Sequence, residues 1–252
     1  MLLSLWELMF RPCILIPTYN NPDTIPDVLV QLQEYQLPII LVDDGSEKET
    51  ASLLKHLAHS QPGVDLVVRE KNGGKGAAVQ TGLRRAIELS FSHALQMDAD
   101  GQHSSRQIPE FLDAASSRQD ALVLGTPVFG DDVPKSRLYG RQVSRVMVWL
   151  QTLSFQIGDP LFGFRVYPLT AVATLLERTM LGNRMDFDPE IAVRLCWQGV
   201  PVVNVKATVC YPDGNVSHFQ MVRDNFRLSW LHTRLFAGML LRSPLLLARK
   251  FR

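Results

Sequence analysis

Short apolar runs along this chain alternate with longer stretches in which apolar residues recur every three or four positions. Cys13-Ile-Leu-Ile-Pro17 is such a run, closed by turn residues, and predicts a buried first strand. Pro22 suits a first helical position, and Val28, Leu29, Leu32 and Tyr35 then form a helical stripe. Pro38 to Asp43 predicts a second buried strand. Ser46 followed by Glu49 has the spacing of a capping box, opening a helix to about His59. Val64 to Arg69 predicts a third strand, and Ala77 to Phe91 a helix after a Gly-rich turn. Ala94 to Asp98 is a fourth strand and Ala121 to Gly125 a fifth, after an intervening helix. Strands alternating with helices predict the α/β class, with a mainly parallel sheet covered on both faces.

Composition changes this picture little. At 252 residues, with no Pro/Gly/Ser-rich linker and no repeat, the chain suits one large domain. Lys plus Arg is 26 against 25 Asp plus Glu, a balance that gives no ground for a nucleic-acid partner. Cys13, Cys196 and Cys210 sit among apolar residues without CxxC or Cys/His spacing, as reduced core thiols of a cytosolic protein do. The apolar opening, Met1 to Arg11, is too short to span a bilayer and lacks the marks of a signal peptide. It suits an interfacial foot or a helix packed on the domain.

Candidate chemistry gathers at the carboxyl ends of the expected strands. Pro17-Thr-Tyr-Asn20, Asp43-Asp-Gly-Ser46, Asn72-Gly-Gly-Lys-Gly76 and Asp98-Ala-Asp100 all fall there. That edge is where open α/β sheets bind ligands. In Asp98-Ala-Asp100-Gly-Gln102-His103, a turn beginning at the strand end brings Asp100 and Gln102 round to one cation. Hard oxygen ligands suit Mg²⁺ or Mn²⁺, with water and a diphosphate completing the shell. The plainer alternative is that both aspartates cap the following turn or helix. His103 is either a ligand or a supporting or surface residue. Asp43 is placed to accept from a nucleobase N–H or a ribose hydroxyl, although turn chemistry also accounts for Asp-Gly-Ser and for Asp44. The Gly-rich turn offers Lys75 and the free N–H groups of a helix start to an anion, or is a plain turn. It lacks Walker A spacing.

Taken in order with Asp159-Pro-Leu-Phe-Gly-Phe-Arg165, these motifs resemble the family 2 glycosyltransferases. Met97 to His103 and Asp159 to Arg165 look especially like the dolichyl-phosphate mannosyltransferase and polyprenyl-phosphate hexosyltransferase branch. The resemblance covers about Cys13 to Phe219. It implies a single GT-A domain of Rossmann-like nucleotide-binding type, a UDP- or GDP-linked sugar donor, Mg²⁺ or Mn²⁺, and inversion at the anomeric carbon. Carried over by position, Pro17 and Tyr19 line the nucleoside pocket, and Asp43, with Asp44 beside it, contacts base or ribose. Asp98, Asp100 and Gln102 form the diphosphate–metal site, with Asp100 and Gln102 the closest ligands, and Arg165 faces an acceptor or donor phosphate. In direct displacement the metal, with Lys75 or another cation beside it, is expected to stabilise charge on the departing nucleoside diphosphate. Two departures stand out. Asn21 occupies a position where the family often has Glu, and the usual basic Arg…Gly-x-Ser-Lys stretch reads Tyr211 to Phe219 here, with His218 for Lys. The processive Gln-x-x-Arg-Trp signature is absent, so single transfer is expected.

The resemblance therefore implies transfer of a hexose to a lipid-linked acceptor, above all a polyprenyl phosphate. Such a phosphate is ionised near neutral pH and needs no general base. A lipid or glycan hydroxyl, the rival acceptor, needs one, and Asp188 is the candidate. The plainer role for Asp188 is a helix N-terminal acid, since Pro189 opens an apolar helix ending near Gly199. Nucleotidyl transfer is a further rival. Lys135 to Leu153 reads as an amphipathic helix, with Val143, Val146, Met147, Leu150 and Leu153 on one face and Arg137, Arg141 and Arg145 opposite. It suits an ordinary surface helix, or one serving a membrane or a phosphate. Arg227 to Arg252 holds six Arg/Lys and no acid. A central Arg costs about 2.5–3.5 kcal/mol on insertion, which argues against a spanning helix. Residues 226–252 are thus expected as an amphipathic tail lying in the membrane plane, and 1–225 as the catalytic domain. The expected location is cytoplasmic, peripheral at the inner face of the membrane. A helix returning to the core or serving dimerisation is the alternative.

Overall fold

The computed structural model describes residues 10–128, 135–209 and 221–251. The opening nine residues, Cys210 and the Tyr211 to Phe219 stretch with His218 lie outside them. Seven strands form one sheet: β1 (Pro12–Thr18), β2 (Ile39–Asp43), β3 (Val64–Val68), β4 (His93–Gln96), β5 (Leu122–Val128), β6 (Arg165–Pro168) and β7 (Val202–Thr208), in the order β3-β2-β1-β4-β6-β5-β7. Four of the six strand pairings are parallel, and the two antiparallel ones both involve β6. The sheet is thus mainly parallel as expected, with one reversed strand at its centre. Only four residues long, β6 is too short for its sequence pattern to announce it.

Both faces of the sheet are covered. Successive β1 side chains point to opposite sides, so Cys13 and Leu15 enter one core while Ile14 and Ile16 enter the other. The first core takes in helices α3 (Lys75–Glu88), α6 (Leu169–Arg178) and α7 (Phe187–Gln198). The second takes in α1 (Ile25–Leu32), α2 (Lys48–Ser60) and α4 (Ile108–Ser117). Strands buried on both faces must be apolar throughout, which is why the runs in β1 and β2 were so legible. Cys13 and Cys196 are buried free thiols, pushed up by burial to about 12 and about 11 respectively.

The expected capping box at Ser46 is not formed. Helix α2 starts at Lys48, and the N–H of Glu47 donates to Asn20 Oδ1 at 2.9 Å. Ser46 Oγ instead accepts the N–H of Asn20 at 3.0 Å. Asn20, at φ +52°, therefore does the capping from the loop after β1. The cap arrives from another part of the chain, so local spacing misidentified it.

Two further helices, α5 (Lys135–Thr152) and α8 (Met221–Ala248), pack against each other and against α7. Residues 226–251, set apart in the sequence as a tail, run in α8 and the short turn after it. Leu231, Leu235, Met239 and Leu246 of α8 are buried in the first core. Among the described residues, no helix is long and apolar enough to cross a membrane.

Candidate active site

Parallel pairing brings the carboxyl ends of β1, β2 and β4 to one edge. Thr18 lies in register with Asp43, and Leu15 with Gln96, so the loops that follow are neighbours. After Pro17, the turn at Tyr19 is held by Asn21, whose Oδ1 accepts the Tyr19 N–H at 3.3 Å. Asn21 thus has a turn role at the position where Glu is often found. Asp43 is buried and accepts the Ser46 N–H at 2.9 Å. Asp44 faces the Gly-rich turn, accepting the N–H groups of Gly73 (3.0 Å) and Gly74 (2.7 Å) while pairing with Arg69. Its carboxylate is committed to shaping that loop.

The Gly-rich turn itself departs from the anion cradle expected of it. The Ala77 N–H donates to Asn183 O at 2.8 Å, so one donor of the helix start is already used. Gly76 lies so close to the 182–187 segment that an added Cβ would sit 2.4 Å from Phe187 Cβ. The Lys75 ammonium does not stand open to a phosphate. It lies 2.8 Å from Asp98 and 3.2 Å from Asp188. Burial alone would lower the Lys75 pKa, but Asp188 and Asp98 outweigh it and hold the ammonium charged.

Arg165 also differs from expectation. Its guanidinium is 0% exposed and donates to the carbonyls of Phe162 (2.6 Å), Asp188 (2.9 Å) and Pro160 (3.3 Å), with Asp188 Oδ1 at 3.7 Å. Spent on main-chain oxygens, it does not face a ligand. It fixes the 160–165 loop and the start of α7 instead. Gly163 on that loop lies against the ion pair, where an added Cβ would meet Asp98 Oδ2 at 2.6 Å and Lys75 Nζ at 2.7 Å. Asp188, 4% exposed in the first turn of α7, is enclosed between Lys75 and Arg165.

The turn after β4 holds the remaining groups. His103 Nδ1 accepts the Asp98 N–H at 3.0 Å, so the neutral ring carries its proton on Nε2, 3.9 Å from Asp98 Oδ2. The ring stacks on Phe164 at 5.2 Å and meets Phe162 edge-on at 4.8 Å. Burial pushes its pKa below the ordinary value against the pull of Asp98. His103 therefore supports the turn. Asp100 Oδ1 accepts the Gln102 N–H at 3.0 Å. Burial raises Asp98 also, yet Lys75 and His103 outweigh it and keep that carboxyl below the usual range. Asp100 is pushed up, first by burial and then by Asp98.

Two cations, Lys75 and Arg165, are thus matched by Asp98 and Asp188, and Asp100 stands outside the balance. Among the described residues, no three His, Cys, Asp or Glu side chains gather to hold a metal by themselves. The donor set at this turn, two carboxylates with the Gln102 amide, fits a hard cation that shares its shell with water and a phosphorylated ligand. The unbalanced charge of Asp100 favours such an ion there.

Two groups have roles that the sequence alone did not assign to them. Arg141 pairs with Asp159 at 2.9 Å and lies over the Phe162 ring, bracing the loop of Gly163. Glu190, 0% exposed, accepts the Gly182 N–H at 2.7 Å and pairs with Arg194 at 2.8 Å, which pins the 182–187 segment under α3. The i,i+4 spacing of Glu190 and Arg194 on an expected helix was the available signal for the second.

Comparison with known proteins agrees with this geometry. The sequence model of glycosyl transferase family 2 matches residues 13–182. The polyprenol monophosphomannose synthase of Mycolicibacterium smegmatis is 32% identical over 204 residues, covering 79% of this chain and 77% of its own. The undecaprenyl-phosphate mannosyltransferase of Micrococcus luteus is 27% identical over 207 residues, covering 79% and 83%. A solved mannosyltransferase of Pyrobaculum calidifontis, in complex with GDP-Man and Mn²⁺, superposes with a TM-score of 0.57 at 19% identity. The match spans 81% of this chain and 58% of that one. The fold is therefore GT-A, and the chain belongs to the family 2 glycosyltransferases.

Proposed function

We propose that this glycosyltransferase moves a hexose from a nucleotide-diphosphate sugar to a polyprenyl phosphate, with inversion. The names of the Mycolicibacterium and Micrococcus relatives support a phosphorylated polyprenol as acceptor. Pro17, Tyr19 and Asp43 are assigned to the nucleoside. Asp98, Asp100 and Gln102 are assigned to the diphosphate and to Mg²⁺ or Mn²⁺, which supplies charge stabilisation to the leaving group when bound.

The observation that carries the choice of acceptor is the enclosure of Asp188. A hydroxyl nucleophile needs a base that can take its proton, and Asp188 was the candidate. With cations at 3.2 and 3.7 Å and 4% exposure, its carboxylate is already partnered and has little access to a substrate. A phosphate oxygen attacks without giving up a proton. Its new bond to the anomeric carbon forms as the bond to the diphosphate breaks, and the nucleoside diphosphate leaves with that electron pair. In this scheme Lys75 and Arg165 position rather than touch the substrate. Lys75 sets Asp98, while Arg165 sets Asp188 and the Gly163 loop.

The test is a panel of UDP- and GDP-sugars with Mn²⁺ or Mg²⁺, offered polyprenyl phosphate or the matching polyprenol. Nucleoside diphosphate release that depends on the phosphorylated lipid is expected. Equal turnover on the polyprenol sinks the acceptor assignment, and release of pyrophosphate makes the reaction nucleotidyl transfer.

A further inference from the structure

Helix α5 is turned inside out relative to its amphipathic pattern. Ser144, Val148, Gln151 and Thr152 form its buried side. Two of the polar members have partners there: Gln151 Nε2 donates to His232 O at 3.0 Å and Thr152 donates to Val148 O, while the Gln151 main-chain carbonyl accepts from Trp197 Nε1 at 2.8 Å. Tyr139, Val143, Val146 and Leu150, spaced as one stripe, face outward, and Phe155 beyond the helix end is 81% exposed. The neighbouring α8 repeats the theme on the side opposite its core contacts, with Trp230, Leu240 and Leu241 exposed, the last by 83%. Beside the end of α5, Val146, Trp149, Leu150, Leu153 and Phe155 line an open groove of about 290 Å³, with Lys250, from the turn after α8, at its rim.

Charge indicates what covers this face. Residues 135–155 and 226–252 hold ten of the 26 Lys and Arg residues and none of the 25 acids, leaving 16 basic against 25 acidic residues elsewhere. Arg141 of α5 is spent on Asp159, but Arg234 and Arg242 of α8 and Lys250 after it are exposed, and an apolar surface beside such cations is complementary to anionic headgroups over acyl chains. Exposed aromatic residues such as Tyr139 and Trp230 suit the interfacial layer.

We infer that the outward stripes of α5 and α8, with the groove at the end of α5, form one docking face for an anionic phospholipid bilayer. The inference rests on the proposed function only for its biological sense, since a lipid acceptor is met at a membrane. The binding itself does not depend on catalysis.

Full-length protein is tested by co-sedimentation with vesicles of phosphatidylcholine alone or with one part in three phosphatidylglycerol. Val143→Asp/Leu150→Asp and Trp230→Asp/Leu241→Asp are compared with wild type, and donor binding in solution is measured on each to show that the fold is kept. Wild type is expected to bind the anionic vesicles, and less so as salt rises. Each pair of substitutions is expected to weaken this by about tenfold or more with donor binding unchanged. Vesicle binding equal among the three, or wild type left in the supernatant with both vesicles, overturns the inference. So does concentration-dependent dimerisation that the same substitutions abolish, because the face would then belong to a second copy. Loss of donor binding in wild type, with vesicle binding intact, would strike the proposed function alone.

Discussion

Asp100 and Asp188 are the same residue type, and the charge of Lys75 acts on Asp100 as it does on Asp188, yet the fold places them in opposite settings. Asp188 is enclosed with Lys75 and Arg165 and has its charge matched. Asp100 lies at a turn, held up by burial and by Asp98, with no cation of its own in the balance. The first is part of the framework and the second is what the framework presents. Which carboxylate does chemistry is decided by compensation, not by motif membership.

The sharpest way to break this contrast is to remove each charge in turn. Asp100→Asn should lower turnover by about a thousandfold while thermal stability is kept, read by nucleoside diphosphate release and a melting curve. Full activity in that variant would end the metal assignment. Arg165→Met should act on the fold instead, costing roughly 3–5 kcal/mol in denaturant unfolding because Asp188 and three carbonyls lose their partner. A stable Arg165→Met protein that has lost only catalysis would restore the phosphate-facing role. Asp188→Asn should reduce turnover by only about tenfold through a displaced Lys75, with the pH–rate profile unchanged in shape. Disappearance of an acidic limb from that profile would mark Asp188 as a base after all.

The smallest effect sharpens the comparison from a third direction. His232, in the seam between α5 and α8, is buried beside Gln151, and burial lowers its pKa. The unfolded chain then binds more protons than the folded one just below the ordinary His value of 6.5. Stability should fall as pH drops through that value and level off below the depressed folded one, by at most about 1.4 kcal/mol per pH unit. His232→Gln, followed by urea unfolding between pH 7.5 and 5, should flatten the slope in part, because His93 is shifted the same way.

Legibility in the sequence followed locality. Strands β1, β2 and the first half of β5 could be read because burial on both faces demands apolar runs, and the polar clusters at the ends of β1 to β4 did converge on one edge. The reversed strand β6 went unread, since four residues carry no period, and α6 and β7 were not assigned either. Ser46 was misassigned because its partner is Asn20, a residue 26 positions away. Lys75 and Arg165 were expected to face ligands, yet Asp98 and Asp188 reach them from distant segments that only the fold brings together, and the loop just before Arg165 folds back so that its 160 and 162 carbonyls meet the guanidinium. The two faces of α5 were read correctly, but periodicity alone does not say which one turns inward. Buried partners for Gln151 decided that.

The reciprocal link between Asn20 and the Ser46–Glu47 pair has a mechanical consequence. Each loop supplies what terminates the other, so neither can swing aside without uncapping its neighbour. A nucleoside settling against Tyr19 would therefore be sensed at the start of α2. Loosening either side of this latch should slacken the whole rim at once.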